Sequence, residues 1–224
     1  MESTISGKNE KELRHFNEDY KHFSLVRNFN LADFITLANG LCGSHSIFSC
    51  IHYMITKEEW SLWIGLLLMP LGMLFDLLDG KVARWRKSSS LLGQELDSLA
   101  DLISFGVAPA VCGFAVGMRT FADTIILSIF ITCGIARLAR YNATVASFPK
   151  DSSGKISYYE GTPIPTTLSI VAVIAYLFTV GKIDDNLPGG VIELSPNIMI
   201  HPFVLLYALS GVAMVSKTLR IPKI

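Results

Sequence analysis

Residues 75–106 read FDLLDGKVARWRKSSSLLGQELDSLADLISFG. Four aspartates, Asp76, Asp79, Asp97 and Asp101, stand here beside some of the most apolar sequence in the chain. Positions three or four apart share one face of a helix. Asp76 and Asp79 are i, i+3, and Asp97 and Asp101 are i, i+4, so each pair points two carboxylates the same way. Gly80, Ala83 and Arg84 extend the first face; Gly93, Ala100 and Ser104 extend the second. If the two helices pack as neighbours, all four acids converge, flanked by small residues that leave room for a ligand.

The sequence on either side says where those helices lie. The chain has 224 residues, 50% of them hydrophobic and only 17% charged, and its mean hydropathy is +0.43. The apolar excess collects into blocks near the ~20 residues that a bilayer-crossing helix needs. Six spans are predicted: Ala32–Ile55, Trp60–Leu78, Leu96–Val116, Phe121–Tyr141, Pro165–Val180 and Ile200–Ser216. The fold class expected is therefore an all-α, multi-pass integral membrane protein. Pro70 falls inside the second span, and the two prolines of GTPIPTT set the start of the fifth. Three segments are expected: residues 1–30 as an N-terminal piece, 31–218 as one six-helix domain, and 219–224 as a short tail. The first thirty residues are polar with no apolar h-region, which argues against a cleaved signal, and Tyr20–Leu31 mixes basic and aromatic residues, which suits either a membrane-surface helix or an ordinary linker into the first span. Net charge is +0, so nothing points to a nucleic-acid partner. The four cysteines lie in apolar blocks without a CxxC pair and read as buried thiols.

Lys and Arg set the orientation. All but Lys57, Arg119 and Lys182 of the 19 fall in the N-terminal segment, the loop after span two, the end of span four with the loop beyond it, or the C-terminus. Both termini and the acid-rich segment are thus expected on the cytoplasmic side.

Four carboxylates in a low-dielectric setting repel one another unless protonated or offset by cations. Oxygen ligands favour Mg²⁺, Mn²⁺ or Ca²⁺ over zinc, and no His or Cys cluster competes. Two divalent ions would balance four acids in formal charge, and a two-metal site suits phosphoryl or phosphatidyl transfer. Acids at a membrane edge can instead cap helices or pair with nearby Lys and Arg. A cation transporter is the other alternative, but it calls for acids near the bilayer midplane rather than beside a basic loop.

The same residues carry a resemblance. DLLDGKVAR, eight further residues and GQELDSLAD match D-x2-D-G-x2-A-R-x8-G-x3-D-x3-D, the signature that identifies the CDP-alcohol phosphotransferases, at Asp76, Asp79, Gly80, Ala83, Arg84, Gly93, Asp97 and Asp101. HFSLVRNFNLADFITLANGLCG, CGIARLARYN and YYEGTPIPTT are similar to the fungal, serine-accepting members of that family. The resemblance implies that family's fold, a homodimer and an endoplasmic reticulum location. It implies transfer of a phosphatidyl group from CDP-diacylglycerol to the hydroxyl of L-serine, with release of CMP. It also implies two Mg²⁺ or Mn²⁺ ions held by Asp76, Asp79 and Asp97, with Asp101 as general base and a further metal contact. Gly80, Ala83, Arg84 and Gly93 are then expected against the CDP-diacylglycerol, with Asn39 of TLANG as a further nucleotide contact.

The signature alone does not choose the alcohol, since relatives use inositol phosphate or glycerol phosphate. Serine needs a cation for its carboxylate and an acceptor or aromatic face for its ammonium. Arg137, Arg140 and Tyr141 are i, i+3, i+4 and can share a face, with Arg137 deeper in the span; Glu160 is a weaker candidate for the ammonium. An arginine pair at a membrane edge also serves simply as a positive anchor.

Overall fold

The computed structural model describes residues 30–86, 91–144, 158–196 and 198–222. Most of the expected N-terminal segment, including residues 20–29 of the expected membrane-surface helix, therefore lies outside the described residues. The first helix, α1 (Leu31–Thr56), opens where Asp33 Oδ2 accepts the Asn30 N–H at 2.7 Å, satisfying a backbone donor at the helix start. It ends at Lys57, which turns left-handed at φ 59° and donates its N–H to the Tyr53 carbonyl. Helix α2 (Glu59–Arg86) runs through Pro70 without a break. Next come α3 (Leu91–Asp101), a π-turn (Leu102–Val107) and α4 (Ala108–Ala115), one helical path across the expected third span. Helix α5 (Phe121–Thr144) follows, then α6 (Leu168–Thr179) and α7 (Leu205–Val215), each entered through a short 3₁₀ turn.

Among the described residues, four of these paths are long and apolar enough to cross a membrane; two shorter apolar helices, Ile164–Thr179 and Pro202–Val215, complete the expected six. The 12 residues of α6 and the four of its entry turn rise together about 26 Å, close to the ~30 Å hydrocarbon thickness. Two boundaries differ from expectation. Helix α2 continues to Arg86 and α3 begins at Leu91, so Lys81, Arg84 and Arg86 sit on a helix rather than in a loop. Hydropathy marks where the apolar run stops, whereas a helix of Lys, Val, Ala and Arg carries on into water. The all-α expectation also missed two small antiparallel ribbons: β1 (Tyr158–Glu160) with β4 (Arg220–Pro222), and β2 (Ile192–Ser195) with β3 (Ile198–Ile200).

Small residues let the first three paths approach closely. Ser46 Oγ donates to the Gly65 carbonyl at 2.7 Å, tying α1 to α2. A Cβ on Gly40 would stand 3.6 Å from that of Ala100, and one on Gly43 would overlap Ser104, so α1 lies against α3 as well. Bulky apolar side chains, among them Leu62, Met69, Phe105, Phe130 and Tyr207, fill the interior. Phe130 and Tyr207 meet edge to face at 5.2 Å, and the Tyr207 hydroxyl donates to the Pro109 carbonyl at 2.7 Å. Leu41, Phe48 and Ile55, one face of α1 at seven-residue spacing, are exposed as lipid-facing residues are.

Polar ties close the end of the bundle away from the aspartates. Asp184, in the connection after α6, accepts Lys57 Nζ at 2.7 Å and Tyr53 OH at 3.1 Å on one oxygen, and Arg119 Nη2 at 2.9 Å on the other. Burial alone would raise this carboxyl, but the hydrogen bond and charge of Lys57, with Tyr53 and Arg119, hold it below the usual carboxylate range. Three interhelical connections therefore meet at one side chain. Beside them the buried Asp123 accepts the His201 N–H at 3.0 Å and contacts His201 Nδ1 at 2.6 Å, joining α5 to the segment that enters α7.

Candidate active site

Each pair of aspartates follows from helical spacing, and the packing of α1, α2 and α3 brings the pairs together. Asp76 from α2 and Asp97 and Asp101 from α3 each offer a carboxylate oxygen, and the three oxygens lie within 4.8 Å of one another. Asp79 stands apart from that group. It is 6% exposed and turned toward α1, where its Oδ2 accepts the Thr36 hydroxyl at 2.6 Å. Asp97 Oδ1 is buried with no hydrogen-bond partner among the described residues. A hard divalent cation fits this donor set: three acids that would repel one another, all oxygen, one of them with an unmet acceptor.

Asp101 is held from behind. The buried Asn39 on α1 donates Nδ2 to Asp101 Oδ1 at 3.1 Å, and Ser104 Oγ donates to the Asn39 carbonyl at 2.9 Å. Asn39 does not line the cavity onto which the acids open; its amide meets Asp101 from the α1 side. A Cβ on Gly72 of α2 would come within 2.8 Å of Asn39 Oδ1, so only glycine leaves the amide this close approach.

The acids open on a cavity of about 500 Å³ between α2, α3, α5 and the entry to α6. Asp76, Asp97 and Asp101 line one side; Arg137, Tyr141 and Asn142 of α5 line another; Pro163, Pro165 and Thr166 close it. Arg137 is only 8% exposed, and its guanidinium sits 5.8 Å from the centre of the Tyr141 ring. Arg140 diverges from them: its Nη1 donates to the Val215 carbonyl at 3.1 Å, at the C-terminus of α7, and it does not line the cavity. The i, i+3, i+4 spacing thus puts Arg137 and Tyr141 on the cavity and sends Arg140 to a neighbouring helix. Among the described residues nothing lies within 4 Å of where a Cβ on Gly80 would stand, and Gly93 is partly exposed. The side chains of Ala83, Arg84 and Glu160 lie outside the described residues.

The CDP-alcohol phosphatidyltransferase family model matches residues 29–214. The chain belongs to that family. Among curated relatives of this phosphatidyltransferase, the CDP-diacylglycerol–serine O-phosphatidyltransferase of Saccharomyces cerevisiae is 50% identical over 216 residues, 96% of this chain and 78% of that protein. The Bacillus subtilis protein of the same name is 30% identical over 146 residues, 64% of this chain and 74% of its own length. The fold is also that of the Mycobacterium tuberculosis phosphatidylinositol phosphate synthase solved with CDP-diacylglycerol bound. The TM-score is 0.51 at 22% identity, over 85% of this chain and 84% of that one.

Sequence reading missed Thr36, Ser98 and Asn142. Ser98 and Asn142 exchange hydrogen bonds at 3.0 and 3.2 Å, bridging α3 and α5 beside the cavity. Thr36, Asn39, Gly43 and Ser46 form a small and polar stripe at helical spacing on α1, and that stripe was the available signal.

Proposed function

We propose that this phosphatidyltransferase moves a phosphatidyl group from CDP-diacylglycerol to the hydroxyl of L-serine and releases CMP. One observation carries the reading beyond the family: a single cavity holds the Asp76–Asp97–Asp101 cluster on one side and the nearly buried Arg137, stacked by Tyr141, on another. The names of the yeast and Bacillus relatives agree with serine as the alcohol.

Asp76, Asp97 and Asp101 would hold divalent cations, Mg²⁺ or Mn²⁺, with Asp79 completing a set for two. When bound, such ions draw off the negative charge of a pyrophosphate and stabilise the departing oxygen. Gly80, where no side chain stands, leaves room for the nucleotide to approach α2, with Ala83, Arg84 and Gly93 nearby on the same signature. Arg137 takes the serine carboxylate, fixed in aim by its contact with Tyr141; Glu160 remains an outer candidate for the ammonium, while Arg140 serves the end of α7. A serine hydroxyl is a weak nucleophile without a positioned acceptor. Asn39 occupies Asp101 Oδ1, so Asp101 Oδ2 is the oxygen left to receive the proton. The serine oxygen forms the new bond to the phosphorus bearing the diacylglycerol, the bond from that phosphorus to the CMP oxygen breaks, and CMP departs.

Residues 31–218 form the catalytic membrane domain in this reading, between an N-terminal segment and a short tail. The site faces the cytoplasm because the basic residues gather at its end, and the protein resides in the endoplasmic reticulum as a homodimer. The test is CMP release by the purified protein from CDP-diacylglycerol with serine, inositol phosphate or glycerol phosphate, each with and without divalent ion. Metal-dependent release with serine alone is expected. Release that ignores serine but follows another alcohol would replace the acceptor while leaving the chemistry.

A further inference from the structure

Pro109 has no N–H to give. In a continuous α-helix the Phe105 carbonyl, four residues earlier, would receive that missing hydrogen bond. The chain deals with this vacancy in two steps. Leu102–Val107 widens into a π-turn, in which the Ala108 N–H reaches back to the Ile103 carbonyl. The Phe105 carbonyl is then taken from outside, by Thr167 Oγ1 at 2.7 Å, both residues being wholly buried. Thr167 ends the 3₁₀ turn Ile164–Thr167. Ile164, at the other end of that turn, fills a notch between two glycines: its Cδ1 would be 3.2 Å from a Cβ on Gly134 and 3.7 Å from one on Gly106.

The two turns that meet here belong to opposite sides of the cavity. The π-turn follows directly on Asp101, and Pro165 and Thr166 of the 3₁₀ turn line the wall. We propose that Thr167 is a positioning residue of the transfer reaction: by holding the Phe105 carbonyl, it sets the helix bearing Asp97 and Asp101 against the Pro163–Thr166 wall. This rests on the reading of Asp101 as the proton acceptor. A π-turn carries one more residue than the α-turn it replaces, and each residue of a helix turns the chain by about 100°. A change of register between Asp101 and Pro109 therefore swings the carboxylates relative to the rest of the helix. Without the Thr167 hydroxyl, the buried Phe105 carbonyl loses its side-chain donor, and the π-turn loses a contact that ties it to the entry of α6.

The experiment compares Thr167→Val, Thr167→Ser and Asp101→Asn in the full-length protein, reading CMP release with whichever alcohol supports it, alongside CDP-diacylglycerol binding and thermal unfolding. Thr167→Val is expected to lower kcat on the order of tenfold or more, with KM for CDP-diacylglycerol within about threefold of the native value. Thr167→Ser, which keeps the hydroxyl, is expected to recover most of that loss. Native turnover in Thr167→Val, or equal failure of Ser and Val, overturns the proposal. Where Thr167→Val does not fold, Thr167→Ala takes its place beside Thr167→Ser: loss of turnover in Ala with recovery in Ser supports the proposal, and equal turnover in the two overturns it. Full turnover in Asp101→Asn removes the base assignment, and this proposal with it, independently of any Thr167 result.

Discussion

The Asn39 side-chain amide donates to Asp101 Oδ1 across 3.1 Å, from a helix 62 residues earlier in the chain. Neither residue selects the other by local sequence, yet the contact fixes how the Asp101 carboxylate is turned. Asn39→Leu removes the donor while keeping the volume roughly constant. Hydrogen bonds to charged groups are worth about 1.5–3 kcal/mol, so turnover in CMP release should fall between about tenfold and a hundredfold. Asp101→Asn should fall further while still binding CDP-diacylglycerol. An Asn39→Leu enzyme with native kcat would show that Asp101 needs no such support.

Arg137 lies nearly buried in the cavity wall, whereas Arg140 reaches the end of α7. Arg137→Ala should raise the KM for serine by about tenfold to a hundredfold and leave that for CDP-diacylglycerol within about threefold. Arg137→Lys should recover only part of the affinity, because an ammonium lacks the planar fork. Arg140→Ala should change both KM values little and show instead in thermal stability. Steady-state kinetics varying each substrate separates the cases, and parallel rises in both KM values for Arg137→Ala would assign it a structural role.

Thr36 donates to Asp79 Oδ2 at 2.6 Å and thereby fixes one carboxylate at the edge of the acid cluster. Partners behind a metal ligand commonly contribute about tenfold to a hundredfold in metal affinity. Thr36→Val should therefore raise the Mg²⁺ or Mn²⁺ concentration giving half-maximal CMP release by about tenfold, with the maximum largely restored at saturating ion. An unchanged metal titration would remove Asp79 from the metal site.

At the other end of the bundle, Asp184 has its carboxyl held below the usual range by Lys57, Tyr53 and Arg119. A depressed folded-state value contributes stability above the unfolded value, near ~4, and loses it as pH falls through the lower folded one. Asp184→Asn should destabilise the protein by about 1–2 kcal/mol at neutral pH, a modest figure because Lys57 and Arg119 are half or one-third exposed. Thermal unfolding in detergent should show the gap between native and variant narrowing below pH ~4. A gap that stays constant with pH would mean that the carboxylate charge is not the source.

Much of this architecture is legible in the residues themselves. The six paths could be read because apolar runs of bilayer length have few other uses, and Asp76, Asp97 and Asp101 converge because helical spacing and neighbouring helices leave little alternative. The rest depended on contacts with no local signal. That α1 lies against both α2 and α3 turns Asn39 and Thr36 into partners of acids, a relation visible only once Gly43 meets Ser104 and Gly72 meets Asn39. Arg140 shared its periodicity with Arg137 and Tyr141, but α7 offered it a helix C-terminus nearer than the cavity. The π-turn reads as ordinary helix in sequence, since Pro109 is compatible with either geometry and Thr167 comes 62 residues after its acceptor.

Asp184 also has a mechanical meaning. With Lys57 at the root of α2 tied to it, the 28 residues from Glu59 to Arg86 form a rod about 42 Å long, held at one end. A tilt of about five degrees about the tied end displaces the free end by nearly 4 Å, so helix tips carry most of any motion and the fastened end carries little. Asp76 and Asp79 sit toward the other end, where Thr36 holds Asp79 against α1. A small rotation of that end would shift Asp76 relative to Asp97, Asp101 and Arg137, while the fastened root would keep its place.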